Sequence, residues 1–136
     1  MVKPIVRDAF FLNQKSEEAT KVDLPVAQDL EDTLKANRER CVGMAANMIG
    51  YRKRIIIVAT GLADMVMINP VITEKSEPYE TEEGCLSLPG VRKTTRFQKI
   101  TVRYLDKKLA EHTQSFSGYI AQIIQHECDH LEGVLI

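Results

Sequence analysis

"QHECDHLEG", residues 125–133, sets two histidines four apart with a glutamate directly after the first. On a helix this H-E-x-x-H spacing brings both imidazoles to one side, one turn apart, where they reach a single ion. Glu127 lies about 100° further round, so it approaches a water on that ion without becoming a ligand. Upstream, "GYIAQII" (118–124) carries Ile120, Ile123 and Ile124, and Leu131 follows within the motif. Apolar positions over that much of the circumference predict a buried helix from Gly118 to Glu132. Ser115 or Ser117 is its expected cap and Gly133 its C′ residue.

Two imidazoles do not make a catalytic metal site, which takes three protein ligands and an open position. "EGCLSLPG" (83–90) offers Cys85 between Gly84 and Pro89, and a thiolate would complete a Cys-His-His set with His126 and His130. Taken singly, a histidine on an apolar helix is more often core, and a buried cysteine acts as a small hydrophobe. Cys128 points about 160° away from both histidines and is expected to pack. Cys41 has no assigned role, and His112, in the polar "AEHTQS", is expected on an exposed loop or strand.

Outward from these motifs, "RIIIVA" (54–59) and "DMVMINP" (64–70) read as strands, and "KITVRYL" (99–105) alternates as a half-buried strand does. The acidic stretch "ITEKSEPYETEEG" (72–84) reads as loop or edge strand. Residues 24–39 place Val26, Leu30 and Leu34 at helical spacing, with Asp23 as N-cap and Pro25 in the first turn. Strands first and a buried helix last predict an α+β domain, antiparallel or mixed sheets around the metal-binding helix, spanning residues 1–136.

Of the 136 residues, 44% are hydrophobic and 27% charged, which excludes a disordered chain. A net charge of −1 argues against a broad basic face for nucleic acid or anionic membrane. No apolar run reaches the length of a membrane span, and the N-terminus lacks a secretory signal. Three cysteines cannot all pair, and reduced thiols in the cytoplasm are expected. A monomer is expected.

Together, "CVGMAANMIG" (41–50), "EGCLS" (83–87) and "QHECDHLEG" (125–133) resemble, in order and separation, the motifs of the peptide deformylase family. That family carries G-x-G-x-A-A-x-Q-[IV]-G, E-G-C-L-S and Q-H-E-x-D-H-L-x-G. The resemblance covers the chain from about residue 25. It implies that Cys85, His126 and His130 hold one divalent metal, commonly Fe²⁺, replaceable by Ni²⁺, Co²⁺ or Zn²⁺. It implies that Glu127 is general base and acid in removing the formyl group from N-formylmethionyl nascent polypeptides. The Leu86 backbone N–H would donate to the oxyanion. Gly43, Met44, Ala45, Met48, Glu83, Gly84 and Ile123 are expected beside the substrate, with Gln122 and Tyr119 sharing the Ile123 face. Asp129 and Glu83 flank ligands and are expected to orient them, with Arg96 as a partner.

The sequence departs from the family at three places. Met48 stands where the family has the Gln that donates to the oxyanion, and a thioether has no proton to give. Cys41 replaces the leading Gly. Asn47 carries an amide, but in an extended segment it would point to the opposite face. Two readings follow: a deformylase in which Met48 is compensated, or a deformylase-like metal-binding protein with weak or no turnover. A zinc peptidase is disfavoured by the Cys85 segment. The family's further C-terminal helix, which contacts the ribosome, is expected to be absent after Ile136.

Overall fold

Ile55–Ala59 forms β2, in which Ile55, Ile56, Ile57 and Val58 are completely buried. A strand covered on both faces needs no polar alternation, which is why it reads as an unbroken apolar run. The computed structural model describes residues 1–135 and builds one five-stranded antiparallel sheet around this strand. Ile136, on which the expected absence of a ribosome-contacting helix turns, lies outside the described residues. The strands lie in chain order, β1 (Gly43–Ala45), β2, β3 (Asp64–Gly84), β4 (Val91–Leu105) and β5 (Glu111–Ser117). Helices α1 (Ala9–Leu12), α2 (Leu24–Ala36) and α3 (Gly118–Leu131) complete the chain, and both α2 and α3 pack on β2. Among the described residues no helix is long and apolar enough to cross a membrane.

The expected strand at 64–70 does not end at Pro70; β3 runs on to Gly84 and absorbs the 72–84 stretch. Asn69 makes this continuation workable. It sits at φ 51, inside a register shift between Ile68 and Val71, and its side chain bonds the Ala19 backbone at both N–H (2.8 Å) and carbonyl (2.9 Å). A bulge of this kind tolerates a proline that cannot donate to the ladder. Beyond it β3 pairs with β4 alone among the described strands, so Glu74, Glu77, Glu80 and Glu82 face solvent on a local edge while Glu83 is buried. There Glu82 stands opposite Lys93 in the register, an arrangement of opposite charges that favours the pairing. The 99–105 strand likewise starts earlier, at Val91, as the second arm of the same hairpin.

Helix α3 begins and ends close to its expected bounds. Gly133 adopts φ 76, and a Cβ there would stand 2.5 Å from the Asn13 carbonyl oxygen, so only glycine lets the N-terminal segment pass. Gln125 ties the helix to β4: its amide accepts from Phe97 N–H (2.9 Å) and donates to Phe97 C=O (2.8 Å). Cys128 is half-buried against the core, and burial pushes its thiol up to about 12.

Candidate metal centre

Gly84 ends β3, and the chain then turns through Cys85–Gly90 before β4 begins. That turn carries the Cys85 thiol to the face of α3 bearing His126 and His130. Cys85 Sγ lies 3.2 Å from His130 Nε2, which lies 3.2 Å from His126 Nε2, and the three donor atoms fall within 4.8 Å of one another. Ligands of a tetrahedral ion with bonds of ~2.0–2.3 Å stand roughly 3.3–3.8 Å apart, so the set closes on a metal with little adjustment. A cysteine thiolate and two imidazole nitrogens suit Fe²⁺, Zn²⁺, Ni²⁺ and Co²⁺ alike.

What surrounds the ligands fixes their direction. His126 Nδ1 donates to Glu83 Oε1 at 2.9 Å, which turns the lone pair of Nε2 toward the other two ligands. Arg96 holds Glu83 through Nε (3.0 Å) and Nη2 (2.7 Å) and reaches Asp129 through Nη1 (2.7 Å). Gln122 Nε2 adds a fourth bond to the Glu83 carboxylate, at 2.9 Å. Burial alone would raise the Glu83 pKa, but its bonds to His126, Arg96 and Gln122 hold it down at about 2. Burial lowers His130 to about 3.

Glu127 stands beside this cluster, 4% exposed, with Oε1 free of any protein partner among the described residues. Burial pushes its carboxyl up to about 7. A Cβ on Gly43 would meet Ile123 Cγ2 at 2.7 Å and Glu127 Oε2 at 3.1 Å, so the missing side chain of β1 makes room for this carboxyl. A cavity of about 480 Å³ opens over the cluster, lined by Gly43, Met48, Gly84, Leu86, Ile123 and Glu127, among others. The Leu86 N–H has no acceptor among the described residues, while its carbonyl accepts from Arg7 Nη1 at 2.8 Å.

These three ordered motifs meet at one centre, and known proteins share both sequence and fold. The family model described as polypeptide deformylase matches residues 2–136. A peptide deformylase of Clostridium beijerinckii is 60% identical over 136 residues, 100% of each chain. One of Pelotomaculum thermopropionicum is 38% identical, covering 91% of this chain and 81% of its own. The chain belongs to the polypeptide deformylase family. Its fold is the deformylase fold. An actinonin-bound class I type b peptide deformylase of Acinetobacter baumannii superposes with a TM-score of 0.88 at 33% identity, over 99% of this chain and 95% of that one. The Thermotoga maritima deformylase does so at 0.89 and 30%, with the same coverage of each chain. Membership places the protein among hydrolases of the deformylase type, a family of metalloenzymes.

Within that deformylase frame, the remaining expected residues take these places. The Met44 and Ala45 side chains are completely buried in the core and do not line the cavity. Glu83 lines the cavity, yet both its oxygens are taken by His126, Arg96 and Gln122, which leaves none for a substrate. Residues Ala46–Ile49 form a 3-10 turn rather than an extended segment, and Asn47 Nδ2 donates to the His130 carbonyl at 2.9 Å. Asn47 thus braces α3 and offers no donor above the metal. Met48 is 1% exposed, and its Sδ accepts from the Ala45 N–H at 3.4 Å. Cys41 lines the cavity and donates to the Gly43 carbonyl at 2.8 Å, its thiol pushed up to about 12 by burial. His112 meets Asp106 at 2.7 Å on an exposed hairpin remote from the centre.

Proposed function

We propose that the protein removes the formyl group from N-formylmethionyl chains in the cytoplasm. Cys85, His126 and His130 would hold one divalent ion, Fe²⁺ in the cell, with Zn²⁺, Ni²⁺ or Co²⁺ as replacements. The observation that carries this reading is the Glu127 carboxyl, buried with one oxygen free, beside a Cys-His-His cluster at the floor of a cavity. The bound ion supplies Lewis acidity, acidifying water and polarising a carbonyl. Glu127, with its affinity for a proton raised by burial, takes one from the attacking water and returns it to the leaving amine nitrogen. The Leu86 N–H donates to the oxygen that gains charge at the formyl carbon. Gly43, Met48, Gly84 and Ile123 wall the cavity that receives the methionine. Glu83, Arg96 and Asp129 keep His126 aimed.

The second reading, a metal-binding relative with little turnover, is favoured by one observation: Met48, buried in the wall, has no proton for the oxyanion. Turnover of formyl-Met-Ala-Ser by anaerobically prepared Fe²⁺ or Ni²⁺ protein separates the two. Glu127→Ala is expected to lower the rate by roughly 10²–10⁴-fold while metal content is kept. Indistinguishable rates for the two proteins would remove the enzyme reading.

A further inference from the structure

A second cavity, of about 610 Å³, adjoins the first, and Arg40, Gly84, Cys85 and Leu86 line both. Its charged lining differs from its neighbour's. The first cavity mixes Arg38 and Arg40 with Glu39 and Glu82 at its rim, whereas Arg7 and Arg40 are the charged residues of the second, with no carboxylate in its wall. Arg38 is occupied by Asp64, through bonds of 2.7 Å from each Nη. Arg7 and Arg40 are not so neutralised. Arg7 gives Nη1 to the Leu86 carbonyl and Arg40 gives Nη2 to Asn37 Oδ1 at 2.9 Å. Each guanidinium has five N–H donors, and the remaining ones have no partner among the described residues. Ser87, 1% exposed, lines the same cavity, and its hydroxyl also lacks a protein partner.

We infer that this second cavity is a carboxylate-binding subsite, in which Arg7 and Arg40 select substrates with an acidic side chain at the third residue. The inference rests on the deformylase reading above and extends it to the chain beyond the methionine. A substrate whose formyl group lies at the metal centre leaves the first cavity past Leu86. Two residues of extended chain advance it by about 7 Å, from the shared wall into the second cavity. A carboxylate arriving there meets two cations with unused planar donor edges, the geometry in which guanidinium binds carboxylate best. A lysine or arginine at that residue meets the same charges as repulsion. Arg7 contributes a second effect, because its bond to the Leu86 carbonyl fixes the Leu86–Ser87 peptide unit, next to the one that carries the Leu86 N–H.

The test compares kcat/KM for formyl-Met-Ala-Glu, formyl-Met-Ala-Gln and formyl-Met-Ala-Lys, all with amidated C-termini, at low and high salt. The Glu peptide is expected to exceed the Gln peptide by about five-fold, the size exposed charge pairs supply, and the preference should shrink as salt screens it. In Arg40→Gln, whose side chain is exposed, and in Arg7→Gln the Glu-to-Gln ratio should fall toward one, with Arg40→Lys retaining part of it. Equal kcat/KM for the Glu and Gln peptides in the wild type, or a preference unchanged in both arginine variants, overturns the subsite. A preference that appears only when the peptide C-terminus is left free assigns the cavity to a terminal carboxylate and overturns the side-chain form. No turnover of any peptide would instead count against the deformylase reading, so the two failures are distinct.

Discussion

In the proposed reaction, the side chain at position 48 bears on how the oxyanion would be held. Met48 cannot donate, and the neighbouring amide of Asn47 is spent on the His130 carbonyl, so in that reaction the Leu86 N–H would act without a side-chain partner from this turn. Restoring the donor by Met48→Gln is expected to raise kcat by roughly 10- to 100-fold, towards the ~10²–10³ that one oxyanion donor contributes elsewhere. Single-turnover rates on formyl-Met-Ala-Ser measure it, and equal rates would show that Met48 does not limit catalysis. The clustering of Cys85, His126 and His130 beside a buried Glu127 was legible in the sequence, because helical spacing and an upstream cysteine point to it locally. Asn47 and Gln125 were not. Their partners are backbone groups of α3 and β4, which become neighbours only after the sheet and helix dock. The burial of the Met44 and Ala45 side chains was not legible either, since motif position says a segment is near the substrate but not what packs over its side chains.

At the scale of elements, the site hangs on a joint between the β3–β4 hairpin and α3. Arg96, from β4, is 4% exposed and binds Glu83 of β3 and Asp129 of α3 at once. Arg96→Met would leave two carboxylates without their cation beside His126. The expected cost is about 3 kcal/mol, read from the denaturant midpoint, together with a 10- to 100-fold weaker metal affinity. An unchanged metal affinity would reduce Arg96 to a structural role. A second joint ties the end of α2 to the start of β3, where Arg38 grips Asp64 and holds its carboxyl below the usual range. Because the folded pKa is the lower one, the stabilisation is present above pH ~4 and lost as pH falls through the folded value. The stability gap between wild type and Asp64→Asn should therefore close between pH 7 and pH 3. A gap of equal size at both pH values would show that the ion pair contributes nothing. β2, the first part of β3, the second part of β4 and α3 were legible from their patterning, but β1, β5 and the length of β3 were not. Pro70 and a polar run both signal a strand end, and only the Asn69 bulge, braced from Ala19 far away in sequence, overrides them.

Across the whole molecule, the ligands join parts of the fold that share few other covalent constraints, since none of the three cysteines is paired. An ion binding only the folded chain adds stability by mass action, about 4 kcal/mol at a thousand-fold excess over Kd. Chelation is thus expected to lower Tm by roughly 10 °C or more. Cys85→Ala should start low and be insensitive to chelator; an equal chelator shift in that variant would refute the ligand set. The α+β class was legible because strand patterns precede a buried helix, whereas the continuity of one sheet through all five strands needed the structure. The order of those elements also has a consequence in time. During synthesis Cys85 is made before His126 and His130, by about 40 residues, or roughly 2–8 s at ~5–20 residues per second. For that interval the turn after β3 offers an unligated thiol with its helix not yet built. An oxidant present then meets a cysteine that the finished protein would shield, so the yield of loadable enzyme should depend on the redox state of the cell while the chain is being made.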